Sequence, residues 1–256
     1  MSEPLFLLHC QPDPRLLAAW AAQRRLLVGA DLGYPLHALL LAAFGEAAPQ
    51  PFAYDDPAQG LLAYTRLAPP ALAQAVALAD PAAADALGLS TGPHSAGYRV
   101  RAFPTQWQAG QVLGFTVRVR PIEREAKKGC ERDAFIGAAL AAPGETLCRQ
   151  TVYAAWLAAQ LAPRPGTERQ AWQGGAELLD AGLNRFALSP VLRRTQSSSG
   201  STDRASRTVT GPDATLSGHL RVKEPVAFAA LLARGVGRHR AFGFGMLRLH
   251  PASSAG

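Results

Sequence analysis

The stretch GVGRHRAFGFGMLRL spans residues 235–249 and joins a glycine-rich loop to an apolar tail. Residues 235–245 contain four glycines and three basic side chains; in chain order these are Gly235, Gly237, Arg238, His239, Arg240, Gly243 and Gly245. Glycine permits positive φ angles and lets other groups approach the backbone N–H closely. Because arginine and histidine add positive charge at the same place, the stretch predicts an anion-binding loop over 235–245 that leads into a strand.

The composition agrees with an anionic partner. The chain has 256 residues, of which 48% are hydrophobic, and 26 lysines and arginines against 19 acidic residues give a net charge of +7. This length and hydrophobic content are ample for a buried core. The basic bias favours a nucleic acid, although many basic proteins bind none.

Other classes of protein are excluded by simpler signals. The start MSEPLFLLHCQPDP lacks the basic segment of a signal peptide, and no apolar run approaches the roughly 20 residues that span a bilayer. Three cysteines without C-x-x-C spacing and six histidines without H-E-x-x-H indicate neither a disulfide framework nor a metal site. We therefore predict a cytoplasmic protein with no cofactor, no metal and no membrane association.

Strand-like and helix-like segments alternate twice along the chain. In the first cycle we predict strands at 5–10, 60–67 and 97–103 and helices at 14–28, 35–44 and 70–78. In the second cycle we predict strands at 111–121, 186–195, 214–222 and 244–249 and helices at 151–161, 168–181 and 225–232. The polar joint at 104–110 separates the two cycles.

This order predicts an α+β protein built from two tandem ferredoxin-like (RRM-like, βαββαβ) halves, with domains at 1–104 and 111–256. A doubly wound parallel sheet is the alternative, but several strand pairs lack a connecting helix. The tract TQSSSGSTDR at 195–204 has too little apolar surface to become ordered by burial, so we predict a mobile loop. Basic residues flank or end this loop: Arg193, Arg194, Arg204 and Arg207.

Two parts of the chain resemble a known family. The run GHLRVKEPVAFAALLARGVGRHRAFGFGMLRLHP at 218–251 resembles a family signature in which a G-x-L-x-V strand and a short helix precede a G-I-G-x-x-[RK]-A-F-G-x-G-L-L loop. Near the start, Leu8, His9 and Pro12 match a first strand that ends in L-H-x-x-P, and DLGYPLH at 31–37 followed by Phe44 resembles the helix that comes next. The family is the CRISPR-associated repeat-processing endoribonucleases of the RAMP superfamily, in its type I-E and type IV branches.

The resemblance implies a function and a catalytic pair. The family cuts CRISPR precursor RNA within the repeat without a metal, leaves a 2′,3′-cyclic phosphate and retains the mature crRNA. In the type I-E branch the matching tyrosine and histidine are catalytic, which assigns Tyr34 and His37 here. The middle of the chain matches loosely and segment 13–30 departs in length, so the choice between the type I-E and type IV branches stays open, as does a catalytic role for arginines in place of His37.

The residues themselves allow this chemistry. Positions 34 and 37 share one face of a helix, so a phenol and an imidazole can reach one substrate, and histidine is the side chain best suited to proton transfer near neutral pH. Without the resemblance, however, an inert, half-buried histidine is the favoured interpretation of His37, and a tyrosine that covers the core is the alternative for Tyr34. The resemblance shifts the interpretation of His37 towards catalysis.

We predict an RNA-binding surface made of the loop residues and the basic residues near it. Its members are Arg24, Arg25, Arg118, Arg120, Arg193, Arg194, Arg204, Arg207, Gly235, Gly237, Arg238, His239 and Arg240. A pair such as Arg24 and Arg25 is more often part of a solvated helix face than a ligand contact. The predicted partners are CRISPR repeat RNA and the other subunits of an effector complex. The main alternative is a non-catalytic RAMP subunit that only holds crRNA, and a phosphate binder unrelated to RNA lacks a P-loop or dinucleotide motif.

Overall fold

A computed structural model describes residues 3–27, 31–92, 95–124, 131–162, 174–194 and 206–252. The predicted mobile loop at 195–204, which includes Arg204, lies outside these ranges.

Within the residues that the structure describes, the first half contains six strands and four helices. In chain order they are β1 (Leu5–Cys10), α1 (Pro14–Gln23), α2 (Gly33–Phe44), β2 (Phe52–Ala53), β3 (Leu61–Thr65), α3 (Pro69–Ala77), α4 (Pro81–Ala86), β4 (Thr91–Gly92), β5 (Ser95–Ala96) and β6 (Arg99–Phe103), with a 3₁₀ turn at Gly45–Ala47. Four of the strands form an antiparallel sheet in the order β2-β3-β1-β6. This is the strand order of a ferredoxin-like fold.

The second half repeats the plan. Its elements are β7 (Val112–Val119), β8 (Ile122–Arg124), β9 (Glu131–Asp133), α5 (Ala134–Ala141), α6 (Arg149–Leu161), β10 (Ala176–Arg194), β11 (Ser206–Val222), α7 (Pro225–Arg234) and β12 (Arg248–Pro251), with a 3₁₀ turn at Arg240–Phe242. The main sheet is antiparallel in the order β10-β11-β7-β12. The prediction of two ferredoxin-like halves is confirmed, and the predicted joint lies between β6 and β7.

Local signals account for the helix boundaries. Asp13 caps α1, because its carboxylate accepts hydrogen bonds from the backbone N–H groups of Arg15 and Leu16, and Pro14 occupies the first helical position. Helix α7 likewise begins at Pro225 and ends at Gly235, whose φ of 82° few other residues adopt.

The two halves pack against each other through apolar side chains. Leu5, Leu7 and Tyr64 of the first sheet belong to the same buried cluster as Phe115 and Phe228 of the second half. The Tyr64 hydroxyl donates a hydrogen bond of 2.8 Å to the backbone carbonyl of Leu247, which satisfies a polar group that burial would otherwise penalise. A second cluster fills the space between the first sheet and α1, α2 and α4.

Several predicted elements need correction. The helix predicted at 14–28 ends at Gln23, and the strand predicted at 186–195 belongs to β10, which already begins at Ala176. The helix predicted at 168–181 is wrong for 176–181, since these residues begin β10, where Ala176 pairs with Val222; pairing with β11 overrides a composition that suits a helix. The strand predicted at 214–222 is the end of a longer one that starts at Ser206. The last strand starts at Arg248 rather than at 244, because 244–247 are buried in an irregular conformation.

Candidate functional site

Helix α2 presents Tyr34 and His37 together. The Asp31 carboxylate accepts a hydrogen bond of 3.1 Å from the backbone N–H of Gly33 and so starts the helix. The Tyr34 and His37 rings lie one turn apart, with centroids separated by 6.3 Å and planes at 71°, and both side chains are half-buried. The structure therefore places the two residues on one face, as the sequence spacing predicts.

The glycine-rich loop is held in shape by its own backbone. The N–H of Val236 donates to the carbonyl of Gly245 at 2.8 Å, and the N–H of Gly245 donates to the carbonyl of Arg118 at 2.7 Å. A side chain at Gly237, which has φ of 70°, would meet the ring of Trp156 at 2.9 Å. These glycines allow close packing of the loop against α6 and the second sheet, which accounts for part of the glycine pattern.

Phe242 connects the loop to α2. Its ring stacks on Tyr34 with centroids 5.8 Å apart and planes at 23°, and it meets the His37 ring at 5.2 Å and 84°. A Cβ atom on Gly33 would overlap the Phe242 carbonyl oxygen, so glycine is required for this approach. Sequence reasoning did not single out Phe242 or Gly33, although the A-F-G motif contains the first.

The environment of His37 favours its neutral form. Burial lowers the pKa of the imidazole below its ordinary value of 6.5, because removal from water penalises the charged ring. At neutral pH the residue is consequently able to accept a proton.

Arg238 and His239 share one acidic partner. The Arg238 Nε donates to Glu131 Oε1 at 3.0 Å, and His239 Nε2 lies 3.0 Å from Glu131 Oε2. The Arg238 side chain is 47% exposed, whereas that of His239 is only 3% exposed. Arg238 thus faces solvent, and His239 is packed inside the loop in a left-handed backbone conformation with φ of 61°.

Arg240 and Arg234 form a close pair of like charges beside Arg238. The Arg240 guanidinium donates a hydrogen bond of 3.1 Å to the Arg234 carbonyl. Burial lowers the pKa of Arg240, and the charge of Arg238 lowers it further; burial and the charge of Arg240 lower the pKa of Arg234 in the same way. The loop residues 237–242 and Arg234 line a cleft of about 840 Å³, together with segments 46–50 and 64–67. A bound anion in this cleft would favour the charged guanidinium groups.

Arg118 and Arg120 occupy the interior of the second half. Arg118 makes two hydrogen bonds to Asp213, at 2.9 and 2.6 Å, and its guanidinium lies 4.5 Å from the centre of the Phe244 ring. Arg120 is only 2% exposed and donates to the carbonyl of Ser189 at 3.0 Å. Because both guanidinium groups are engaged inside the protein, we leave them out of the surface proposed below.

The remaining predicted arginines belong to other parts of the fold. The Arg24 guanidinium covers the Trp20 ring at 4.0 Å and lies 3.8 Å from Asp80, Arg25 is exposed, and neither lines the cleft. The far end of the β10–β11 ribbon is the end at which β10 stops and β11 starts. There Arg193 pairs through its backbone with Arg207, and Arg194 pairs with Ser206. Within the described residues no group of three or more His, Cys, Asp and Glu side chains could hold a metal ion, and no helix is long and apolar enough to cross a membrane.

Comparison with known proteins gives a family match for the chain and several similar folds. A family model described as CRISPR associated protein matches residues 5–251. A search of curated proteins found no match. The fold is similar to that of CRISPR endoribonuclease Cse3 bound to a 19 nt RNA, with 20% identity, 97% of this chain and 99% of that chain covered, and a TM-score of 0.60.

Two further solved structures share the fold. Thermus thermophilus Cse3, bound to an RNA that represents a pre-cleavage complex, is 20% identical over 97% of this chain and 100% of that chain, with a TM-score of 0.58. A chain of a CRISPR RNA-guided surveillance complex is 14% identical over 96% of this chain and 100% of that chain, with a TM-score of 0.53.

Proposed function

The chain belongs to the CRISPR associated protein family, and we propose that it is an endoribonuclease that cleaves CRISPR precursor RNA within the repeat and retains the mature crRNA. The observation that carries this proposal is the contact between the Tyr34/His37 helix and the basic glycine loop through Phe242. This contact supports the proposal because it joins the helix that carries the expected proton acceptor to the basic glycine loop, and the two segments come from opposite ends of the chain. The fold shared with RNA-bound Cse3 supports the same function.

The chemistry needs no metal. A base removes the proton of the ribose 2′-hydroxyl, whose oxygen attacks the adjacent phosphorus, and an acid protonates the 5′-oxygen as its bond to phosphorus breaks. Neutral His37 suits the base, Tyr34 orients or donates a proton, and an arginine charge stabilises the phosphorane. The products are a 2′,3′-cyclic phosphate and a 5′-hydroxyl.

The basic surfaces suit a repeat stem-loop. A-form RNA hides its base edges in a deep, narrow major groove, so shape and phosphate contacts dominate its recognition. The cleft with Arg238 and Arg240 and the far end of the β10–β11 ribbon are the proposed contacts, and other effector subunits are the proposed protein partners. Because its substrate is a transcript, we assign the protein to the cytoplasm.

A non-catalytic subunit that only holds crRNA is the second candidate. Glycine loops of this kind suit either function, but holding RNA gives no reason for a half-buried neutral imidazole beside a phenol. The helix α2 pair therefore favours the enzyme.

Cleavage of labelled repeat RNA should be unaffected by EDTA and abolished by a single 2′-deoxy substitution at the cut site. The first result follows because no step uses a metal, and the second because the nucleophile is removed. A 2′-deoxy substitution one nucleotide away is the matched control and should leave cleavage intact. If EDTA stops cleavage, or if the deoxy substrate is cut, the proposed chemistry is wrong.

Salt should weaken RNA binding, since each phosphate contact releases counterions. Arg238→Ala and Arg240→Ala should each reduce the slope of log affinity against log salt by about 0.7 to 0.9. Arg15→Ala, which removes the same charge from an exposed position on α1, is the control and should leave the slope unchanged. Unaltered affinity and slope in both loop variants would mean that the loop has a structural role only.

A further inference from the structure

One aromatic ring contacts both members of the proposed catalytic pair. The Phe242 ring stacks on Tyr34 and meets His37 edge to face, with centroid distances of 5.8 and 5.2 Å. Offset stacked and edge-to-face arrangements are the two that aromatic pairs prefer. Phe242 is itself half-buried and lines the cleft that Arg238 and Arg240 share.

The backbone around Phe242 limits how far its ring can move. The Phe242 N–H donates to the His239 carbonyl at 2.8 Å, and the loop is tied to the second sheet through Gly245 and Arg118. On the other side, Gly33 brings the start of α2 directly against the Phe242 carbonyl. The backbone that carries the ring is therefore held on both sides, and the two side chains on α2 pack against the ring.

Packing against the Phe242 ring matters for catalysis because an imidazole on a helix can otherwise rotate between staggered positions. Proton transfer requires the base within about 3 Å of its proton-bearing atom, and a misplacement of about 1 Å can reduce a rate by about 100-fold. Neighbours that restrict rotation therefore influence catalysis without touching the substrate.

We propose that Phe242 is a positioning residue that orients His37 and Tyr34 for cleavage and couples their geometry to the glycine loop; this inference rests on the proposed function. The loop then has two roles, since its arginines face the cleft while its aromatic residue holds the catalytic side chains. A change in the loop's position would change the orientation of the pair.

The first test replaces the ring. Phe242→Leu should keep repeat RNA affinity within about twofold and slow single-turnover cleavage by about 10- to 100-fold, whereas Phe242→Tyr should restore the rate because it retains the ring. Phe103→Leu is the matched control: its ring packs against Tyr64 at 4.8 Å, away from α2, and its loss should not slow cleavage.

A second readout follows His37 directly. NMR titration of its imidazole, assigned with His37→Ala, should show a pKa in Phe242→Leu that moves upward towards 6.5, because the ring contributes to the burial that lowers it. The other titratable groups that pack on this ring are Tyr34 on α2 and His239 on the loop. A general loss of stability that leaves the site intact would not move this titration.

A third variant moves the loop without altering any ring. Gly33→Ala adds a Cβ that overlaps the Phe242 carbonyl, so it should reproduce both the slower cleavage and the changed His37 titration. Gly137→Ala, in helix α5, adds a Cβ whose nearest neighbours are the flexible side chains of Glu123 and Arg132, and it is the control.

The outcomes separate this inference from the proposed function. Loss of RNA affinity in Phe242→Leu with an unchanged His37 titration would make the ring an RNA contact and overturn the inference. Wild-type cleavage in Phe242→Leu and Gly33→Ala, with loss of cleavage in His37→Ala, would overturn the positioning role and leave the proposed function standing. Wild-type cleavage in His37→Ala would refute the assigned base, and an unmoved His37 titration in Phe242→Leu would then refute the positioning role separately.

Discussion

Replacement of His37 by alanine should slow cleavage of repeat RNA by about 10² to 10⁴ and leave RNA binding near wild type. This range is the usual contribution of general acid–base catalysis. The rate must be measured in single turnover, so that retention of the product cannot mask the chemical step. His250→Ala, an exposed position on β12, is the control and should cleave at the wild-type rate.

The pH dependence of this rate follows from the environment of His37. Burial lowers its pKa below 6.5, so the neutral, proton-accepting form predominates at pH 7. If His37 is the base, the rate should be nearly constant around neutral pH and should fall as the pH drops through the lowered pKa. Tyr34→Phe should slow cleavage less than His37→Ala does, because it removes only a hydroxyl. Wild-type cleavage by His37→Ala, combined with an essential Arg24, Arg25 or Arg240, would indicate an arginine-dependent enzyme.

The repeated strand and helix pattern was sufficient to predict the fold because its signals are local. Asp13 and Pro14 mark the start of a helix, and Gly235 marks the end of another, in any tertiary context. Segment 176–181 was predicted wrongly because its strand conformation depends on a partner distant in sequence, β11. A local composition that suits a helix carries no information about that partner.

Some features of the candidate site are likewise local and could be predicted, whereas others depend on contacts between distant segments. The spacing of Tyr34 and His37 is a property of one helix, and their shared face could be predicted from the sequence. Phe242, Glu131 and the engagement of Arg118 by Asp213 are contacts between distant segments, and no local spacing signals them. The sequence thus identifies which residues carry charge, whereas the fold decides which charges face the cleft and which are paired inside.

Asp213→Ala should destabilise the protein by about 3 to 5 kcal/mol, the usual effect of removing one partner of a buried ion pair. The Asp213 side chain is 1% exposed and that of Arg118 is 16% exposed, so the arginine would lose its two hydrogen bonds in a place that water barely reaches. The Arg118 carbonyl also accepts the hydrogen bond from Gly245 that holds the loop. Unfolding in denaturant measures the loss.

The control and the pH dependence make this prediction specific. Arg185 lies 3.8 Å from Asp213 but is 54% exposed, so Arg185→Ala should lower the free energy of unfolding by at most about 1 kcal/mol.

Burial alone would raise the pKa of the Asp213 carboxyl, but hydrogen bonds and charge from Arg118 hold it below its usual value. The pair therefore stabilises the fold above the unfolded-state pKa of about 3.9, and the difference between wild type and Asp213→Ala should shrink as the pH falls through the lower folded-state pKa. If Asp213→Ala is as stable as wild type, the pair does not hold Arg118 inside the protein, and its guanidinium should be tested as an RNA contact by the same salt-dependence measurement as Arg238.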